Sequence, residues 1–412
     1  MKFLDELKTR GILKQISNEE KFNNLEPSKI NVYAGFDPTA ESLHLGNYII
    51  ISVLKRFQKA GFNTIALIGG ATGMIGDPSF RDSERKLLNN EQVHLNKSKI
   101  KNQLESFGLT VFDNYDIYKN MNILDFLREA GKLVNISYML AKDSVSSRIE
   151  RGLSFTEFAY QLLQGYDFLH LYKNHNVRVQ VGGSDQWGNI TTGLDIISDV
   201  VSEKEAKAVG ITIDLLTDEN GHKIGKSTGG GSLWLDKKMA SPFQMYQYLF
   251  NKSDAVVEKL LLWLTFIEID EIKQIIIEHA KNPSNHYAQY KLAFAVVSDI
   301  FGEQEAINSL NITKILFDKT FDATQLKVEE IKNLENYLKV VNLSIGDNII
   351  DSLIKQNIIS SKREAREFIE NNALKIDGKS IDESTIYEPQ NYSKKYAIFK
   401  KGKKQTILLK TV

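Results

Sequence analysis

The alternation of apolar and polar residues divides the chain into two textures. Over roughly the first half, short apolar runs of strand type alternate with stretches of helical period. NVYAGF at 31–36, TIALIG at 64–69 and VRVQVG at 177–182 each lead into a glycine-bearing turn and then a helix. Strand–turn–helix repetition predicts an α/β domain, a Rossmann-like parallel sheet with ligands at the carboxyl ends of its strands. At the start, MKFLDELKTRGILKQIS breaks its apolar residues with Asp5, Glu6, Lys8 and Arg10, the pattern of a short amphipathic helix. Beyond the glycine run at 229–231 the period is helical, from about 241 to 310, through LFNKSDAVVEKLLLWLTF, EIKQIIIEHA and NHYAQYKLAFAVVSDI. Residues 311–345 are mixed. A small α+β unit begins near Gly346, where Ser361 and Glu364 form a capping box before SKREAREFIENNA. LKIDGKSI then predicts a hairpin turned at Asp377 and Gly378.

Length and composition narrow this picture. A chain of 412 residues exceeds one ordinary core, so two or three domains are expected. Apolar content of 42% with 25% charged residues is the balance of a soluble globular protein. Nowhere do about 18 apolar residues run together, so no membrane partner is expected. The amphipathic start lacks the apolar core of a signal peptide, and a cytoplasmic protein is the expectation. There is no cysteine, which excludes disulfides, thiolate nucleophiles and thiolate metal sites. The formal net charge is zero, so any surface for nucleic acid must be local. From residue 347 onward 13 Lys/Arg face 9 Asp/Glu, a local excess of +4 suited to phosphate contacts.

Three segments carry candidate nucleotide chemistry. YAGFDPTAESLHLGNYIIISVLKRF leaves a strand and enters a helix, with Thr39, His44 and Asn47 near the helix start, where free N–H groups attract phosphate. Gly46 lets a nucleotide lie against the backbone. IALIGGATGMIGDPSFRDSER opens a strand into a glycine-rich turn carrying Asp77, with Arg81 and Arg85 beyond it. KIGKS at 223–227 sets Lys223 and Lys226 three apart between glycines, as in a loop that closes on a polyphosphate. Each alone also fits a plainer reading: a helix-start histidine, turn-forming glycines, a lysine-bearing surface loop. Together, HLGN after the first strand and KIGKS well downstream are in the order and spacing of the class I aminoacyl-tRNA synthetases, a family this sequence resembles.

A fourth segment points to the amino acid. In SFTEFAYQLLQGYDFLHLY, Ser154 and Glu157 predict another helix start, and Tyr160, Gln164 and Asp167 project within about 60° of one another. Core packing for the tyrosine and solvent for the other two is the plainer alternative. A lone aspartate in so apolar a helix would, however, be costly to bury unpaired. VQVGGSDQWGN follows, placing Gly182, Gly183, Asp185, Gln186 and Trp187 at another strand end. With YAGFDPTA and GGATGMIGDPS, these motifs resemble the bacterial-type tyrosyl-tRNA synthetases over essentially the full chain.

That resemblance implies roles. Tyr33 and Asp167 would hold a substrate phenol hydroxyl; Asp77, Tyr160 and Gln164 would hold its ammonium, and Gln186 would approach its carboxylate. Asp185 would meet the ATP ribose, with Gly35, Asp37, His44, Gly46, Asn47, Gly183, Lys226 and Ser227 also on ATP. Thr39, His44, Lys223 and Lys226 would grip the leaving pyrophosphate, and Asn114 in DNYDIY would stand behind the pocket. Many relatives carry a second histidine where this chain has Asn47, which keeps a donor. Magnesium would arrive with ATP, and no protein-bound metal is expected. The partners implied are L-tyrosine, ATP, tRNA(Tyr) and a second copy of the chain, meeting through residues 124–141, whose pattern core packing explains equally well. The domains expected are a catalytic one at 1–235, a helical anticodon-arm domain at 236–320, a linker at 321–345 and an RNA-binding domain at 346–412, shared with a ribosomal small-subunit protein (the S-four fold). The rivals are a tryptophanyl-tRNA synthetase, a catalytically silent RNA-binding relative and a generic nucleotidyltransferase. Tyr33 with Asp167 and the basic tail disfavour the first, the retained His44, Lys223 and Lys226 the second, and the tyrosine pocket the third.

Overall fold

The computed structural model describes residues 3–77, 89–140, 142, 145–146, 152–217, 233–318, 321–402 and 405–412. The chain forms two compact units, Met1–Ser241 with Lys252–Leu292, and Pro242–Asn251 with Ala293–Val412.

The first unit is built on a six-stranded sheet. Its strands are β1 (Leu13–Ile16), β2 (Asn31–Phe36), β3 (Asn63–Ile68), β4 (Thr110–Asp113), β5 (Val177–Gly183) and β6 (Val209–Ile213), in the order β1-β6-β5-β2-β3-β4. All pairings are parallel except that of the edge strand β1 with β6. The expected strands match β2, β3 and β5 within a residue. Central parallel strands are covered on both faces, so they read as unbroken apolar runs. After β2 the chain steps outward through β3 and β4, then returns to the other side with β5 and β6. The strand order therefore reverses between β2 and β5, and their carboxyl ends frame the crevice where such sheets bind ligands. Helices Leu45–Lys59, Asn90–Ser106 and Trp187–Val201 make three of the crossovers.

The helical stretch expected as one domain over 236–320 is divided instead, with 252–292 grouped with the sheet domain. Two buried arginines account for this. Arg10 donates to the carbonyls of Leu262 and Ile267, and Arg56 to that of Thr265, at the carboxyl end of helix Asp254–Leu264. Glu6 accepts from both side chains and balances part of their charge.

The second unit holds a five-stranded sheet of β7 (Lys339–Leu343), β8 (Leu374–Ile376), β9 (Lys379–Ser380), β10 (Tyr396–Lys401) and β11 (Gln405–Thr411), ordered β7-β11-β10-β8-β9. Its hairpin turns at Asp377 and Gly378, both at positive φ (46° and 82°), as a type I′ turn requires. The Ser361 hydroxyl caps helix Lys362–Glu370 by accepting from Glu364 N. Residues 321–345, expected as a linker, instead contribute helix Val328–Asn333 and strand β7, which pairs in parallel with β11. Strand β10 buries both faces: Ala397 and Phe399 pack with Leu353, Ala365 and Leu374, while Tyr396 and Ile398 pack with Ile312, Ile315 and Ile331. Much of the basic surface is matched locally. Lys362 pairs with Asp351, Arg366 with Glu383, Lys401 with Glu364 and Lys410 with Glu335.

Candidate active site

A cavity of about 450 Å³ opens at the β2/β5 crevice. Strand β2 supplies Tyr33 and Gly35, and the loop after it Asp37 and Thr39. The next helix start adds His44, Gly46 and Asn47, the turn after β3 Asp77, helix Phe155–Asn174 Tyr160, Gln164 and Asp167, and the end of β5 Gly183, Asp185 and Gln186. Every site residue expected from the sequence that lies among the described residues lines this one cavity. Lys223, Lys226 and Ser227, like Arg81 and Arg85, lie outside the described residues.

The buried end of the cavity holds Tyr33 and Asp167. Asp167 and Tyr33 are each 1% exposed, and the Tyr33 ring lies 5.4 Å from that of Phe168. Asp167 Oδ2 accepts from Asn114 Nδ2 at 2.9 Å, and Oδ1 from the Tyr118 hydroxyl at 2.6 Å. Burial pushes the Asp167 carboxyl up to about 7; these two hydrogen bonds oppose the rise, and the charges of Asp37 and Asp113 add to it. Burial also lifts the Tyr33 phenol well above its ordinary value, with Asp167 adding to it. The Tyr33 hydroxyl is buried and has no hydrogen-bond partner among the described residues. An orphaned hydroxyl beside a carboxylate with free lone pairs is a receptor for one further hydroxyl.

Asn114 stands behind the pocket, as expected. It is fully buried, accepts from Ala71 N at 2.7 Å and donates to Thr72 Oγ1 at 3.2 Å as well as to Asp167. The Thr72 and Tyr160 hydroxyls in turn donate to Asp37, at 2.9 and 3.1 Å. Asp37, expected on ATP, is thus tied to Tyr160 and, through Thr72, to Asn114 and Asp167. Gln186 Nε2 donates to Asp77 at 2.6 Å, and Asn189 Nδ2 donates to the amide oxygens of Gln164 and Gln186. Glycine is needed at 69, where a Cβ would lie 2.0 Å from Asp37 Oδ1. Beside Gly35 a Cβ would meet nothing within 4 Å, so this position is open toward the cavity.

The other end of the cavity is built at a helix start. His44 is the N-cap of Leu45–Lys59, and its N–H donates to Asn47 Oδ1 at 3.1 Å. Asn47 therefore spends its oxygen on the cap and retains its amide N–H groups as donors. This segment also pairs with residues just past the second signature. Leu45 N donates to Leu233 O, Leu235 N to Leu43 O, and His44 bridges to Trp234. On the other flank, Leu215 and Leu216 line the cavity.

Residues 26–318 match the family model described as tRNA synthetases class I (W and Y). The chain belongs to the class I tRNA synthetases. Within this family, residues 330–409 also match a tyrosine–tRNA ligase C-terminal domain (SYY-like). The synthetase is 61% identical to a protein named tyrosine–tRNA ligase from Mycoplasmopsis agalactiae, over all of both chains. It is 54% identical to the one from Mycoplasmopsis synoviae, over 99% of each. Among solved structures, a C-terminally truncated mitochondrial tyrosyl-tRNA synthetase of Aspergillus nidulans superposes with a TM-score of 0.69 at 31% identity, covering 76% of this chain and 94% of that one.

Sequence reasoning missed four residues in and behind the synthetase's site. Gln180, Thr72 and Asn189 lie inside the quoted motifs, and nothing in their spacing marks them. Tyr118 lies beside Asn114 in DNYDIY, but its partner Asp167 is 49 residues away.

Proposed function

We infer that this chain is a tyrosine–tRNA ligase: it activates L-tyrosine with ATP to tyrosyl-adenylate and pyrophosphate, then transfers tyrosine to the 3′ end of tRNA(Tyr). The observation that carries the choice of amino acid is the buried pair of Tyr33 and Asp167, an orphaned hydroxyl beside a carboxylate at the closed end of the cavity. Tyrosine would place its hydroxyl there. Phenylalanine would leave both groups desolvated and unmatched, which costs more than the bond itself is worth.

The proposed roles follow from this placement. Asp77, Tyr160 and Gln164 take the ammonium, and Gln186, already bonded to Asp77, directs the carboxylate toward the α-phosphorus. That carboxylate is the nucleophile, so the enzyme needs no covalent group of its own. Its contribution is alignment, and donors that bind the migrating charge better in the transition state. Thr39, in the loop after β2, and His44, at the helix start, supply such donors, and Lys223, Lys226 and Ser227 complete them by resemblance. The placement of Leu215, Leu216 and Leu233 beside the cavity and the first signature supports this. Asp185 takes the ribose. Magnesium accompanies the nucleotide, held by its phosphates.

The second unit, with its basic residues, is the proposed tRNA-binding part; the helical segment is assigned to the anticodon arm. A homodimer is proposed through residues 124–141, where Leu124 is exposed at 68% and Ile136 at 64%. No helix among the described residues is long and apolar enough to cross a membrane, and the reading assigns the protein to the cytoplasm, where translation occurs. The reading is tested by incubating purified protein with ATP, labelled tyrosine and a tRNA(Tyr) transcript. Acid-precipitable tyrosyl-tRNA is expected; no product with an intact transcript would overturn it.

A further inference from the structure

The Asp167 carboxylate is held by two side chains that do not line the cavity. Asn114 takes Oδ2, and Tyr118, at the end of helix Tyr115–Tyr118, takes Oδ1. The Tyr118 hydroxyl also lies 3.0 Å from the Leu163 carbonyl, one turn before Asp167 on the same helix. A phenol has one proton, and the shorter, charge-assisted bond to the carboxylate takes it. The Tyr118 ring is wedged between those of Phe126 and Tyr166, at 6.1 and 6.2 Å, so the hydroxyl arrives on an immobilised side chain.

We propose that Tyr118 is a positioning residue for substrate selection, fixing the Asp167 carboxylate so that its remaining lone pairs meet the substrate hydroxyl beside Tyr33. The inference rests on the tyrosine–tRNA ligase reading and adds a residue that acts through another. With one donor on each oxygen, the carboxylate plane cannot rotate, yet a carboxylate accepts about four hydrogen bonds, so room for the substrate remains.

The same bond bears on protonation. The titratable groups facing Asp167 are Tyr33 on β2, Tyr118, Asp37 after β2 and Asp113 at the end of β4, the last paired with Lys97 at 2.7 Å. Burial and the two aspartates favour the neutral acid; Asn114 and Tyr118 favour the carboxylate. Without the Tyr118 hydroxyl the proton would be held to higher pH. A neutral acid left without a partner by phenylalanine costs less than a carboxylate, so discrimination would weaken.

The test is Tyr118→Phe in the full-length protein, which removes one oxygen and keeps the ring packing. Tyrosine- and phenylalanine-dependent ATP–pyrophosphate exchange would be followed from about pH 6 to about pH 9. The tyrosine-to-phenylalanine ratio of kcat/KM should fall about tenfold near neutral pH, and the pH midpoint of kcat/KM for tyrosine should rise by about one, the worth of one hydrogen bond to a charged group. The KM for ATP should stay as it is. Tyr118→Leu should reproduce the pH profile while losing more thermal stability. An unchanged ratio and midpoint, with or without a lower Tm, would overturn the inference and leave Tyr118 structural. Wild-type protein inactive with tyrosine would overturn the ligase reading, and this inference with it; active wild type with an indifferent variant overturns this inference alone.

Discussion

At Asp167, burial and hydrogen bonding pull in opposite directions, and in the proposed ligase their balance would set how one aromatic amino acid is distinguished from another. The folded protein holds this proton up to about 7, whereas the unfolded chain releases it near 3.8. Between those values the unfolded state binds fewer protons, so the stability contributed by Asp167 falls as pH rises through that window. Above it, the folded protein carries a desolvated charge that a phenol bound as proposed would relieve. Tyrosine is therefore expected to raise Tm more at about pH 8 than at about pH 6, with phenylalanine showing little such difference. Parallel thermal-shift curves check this; equal shifts for the two ligands would count against the assigned pair. Asp167→Asn should raise the KM for tyrosine roughly 10- to 100-fold and erase most of the preference over phenylalanine, measured by pyrophosphate exchange. The spacing of Tyr160, Gln164 and Asp167 was legible because one helix carries all three. Tyr118 and Thr72 were not, because their importance lies in partners 49 and 35 residues away.

At the scale of elements, the amino-acid end depends on how closely two helices approach. Phe155–Asn174, which carries Asp167, packs on Trp187–Val201 where Gly165 faces Gly193. A Cβ at Gly193 would lie 2.9 Å from a ring carbon of Phe168 and 3.1 Å from its Cβ. Phe168 adjoins Asp167 in sequence and packs on Tyr33. Gly193→Ala should cost about 1–3 kcal/mol through overpacking. It should also raise the KM for tyrosine while leaving that for ATP near its wild-type value, as calorimetry and exchange kinetics would reveal. Strands β2, β3 and β5 were readable because doubly covered strands are continuous apolar runs. Strand β7 was not: KVVNL is short, its burial does not alternate regularly, and its partner β11 lies at the end of the chain.

For the whole molecule, the division into two units separates the cavity from the basic C-terminal sheet. All residues lining the cavity fall within the first unit. A truncation after residue 318 should therefore keep tyrosine-dependent exchange within about threefold of wild type and lose tRNA charging by at least about tenfold. Equal loss of both would mean that the second unit supports the first. Either cut falls within the second unit and uncovers Ile312 and Ile315, and a cut at 346 would in addition strand β7 without β11. The sequence showed a helical middle but not its division, because that depends on Arg10 and Arg56 reaching Leu262, Thr265 and Ile267 some 200 residues or more away. Tyrosine selection is proposed to rest on the buried Tyr33–Asp167 pair. Its most direct test is ATP–pyrophosphate exchange by the purified full-length protein with tyrosine, phenylalanine or tryptophan as sole amino acid. Robust exchange with tyrosine and little with the other two is predicted; exchange driven equally well by tryptophan would mean that the Tyr33–Asp167 pair does not select the substrate.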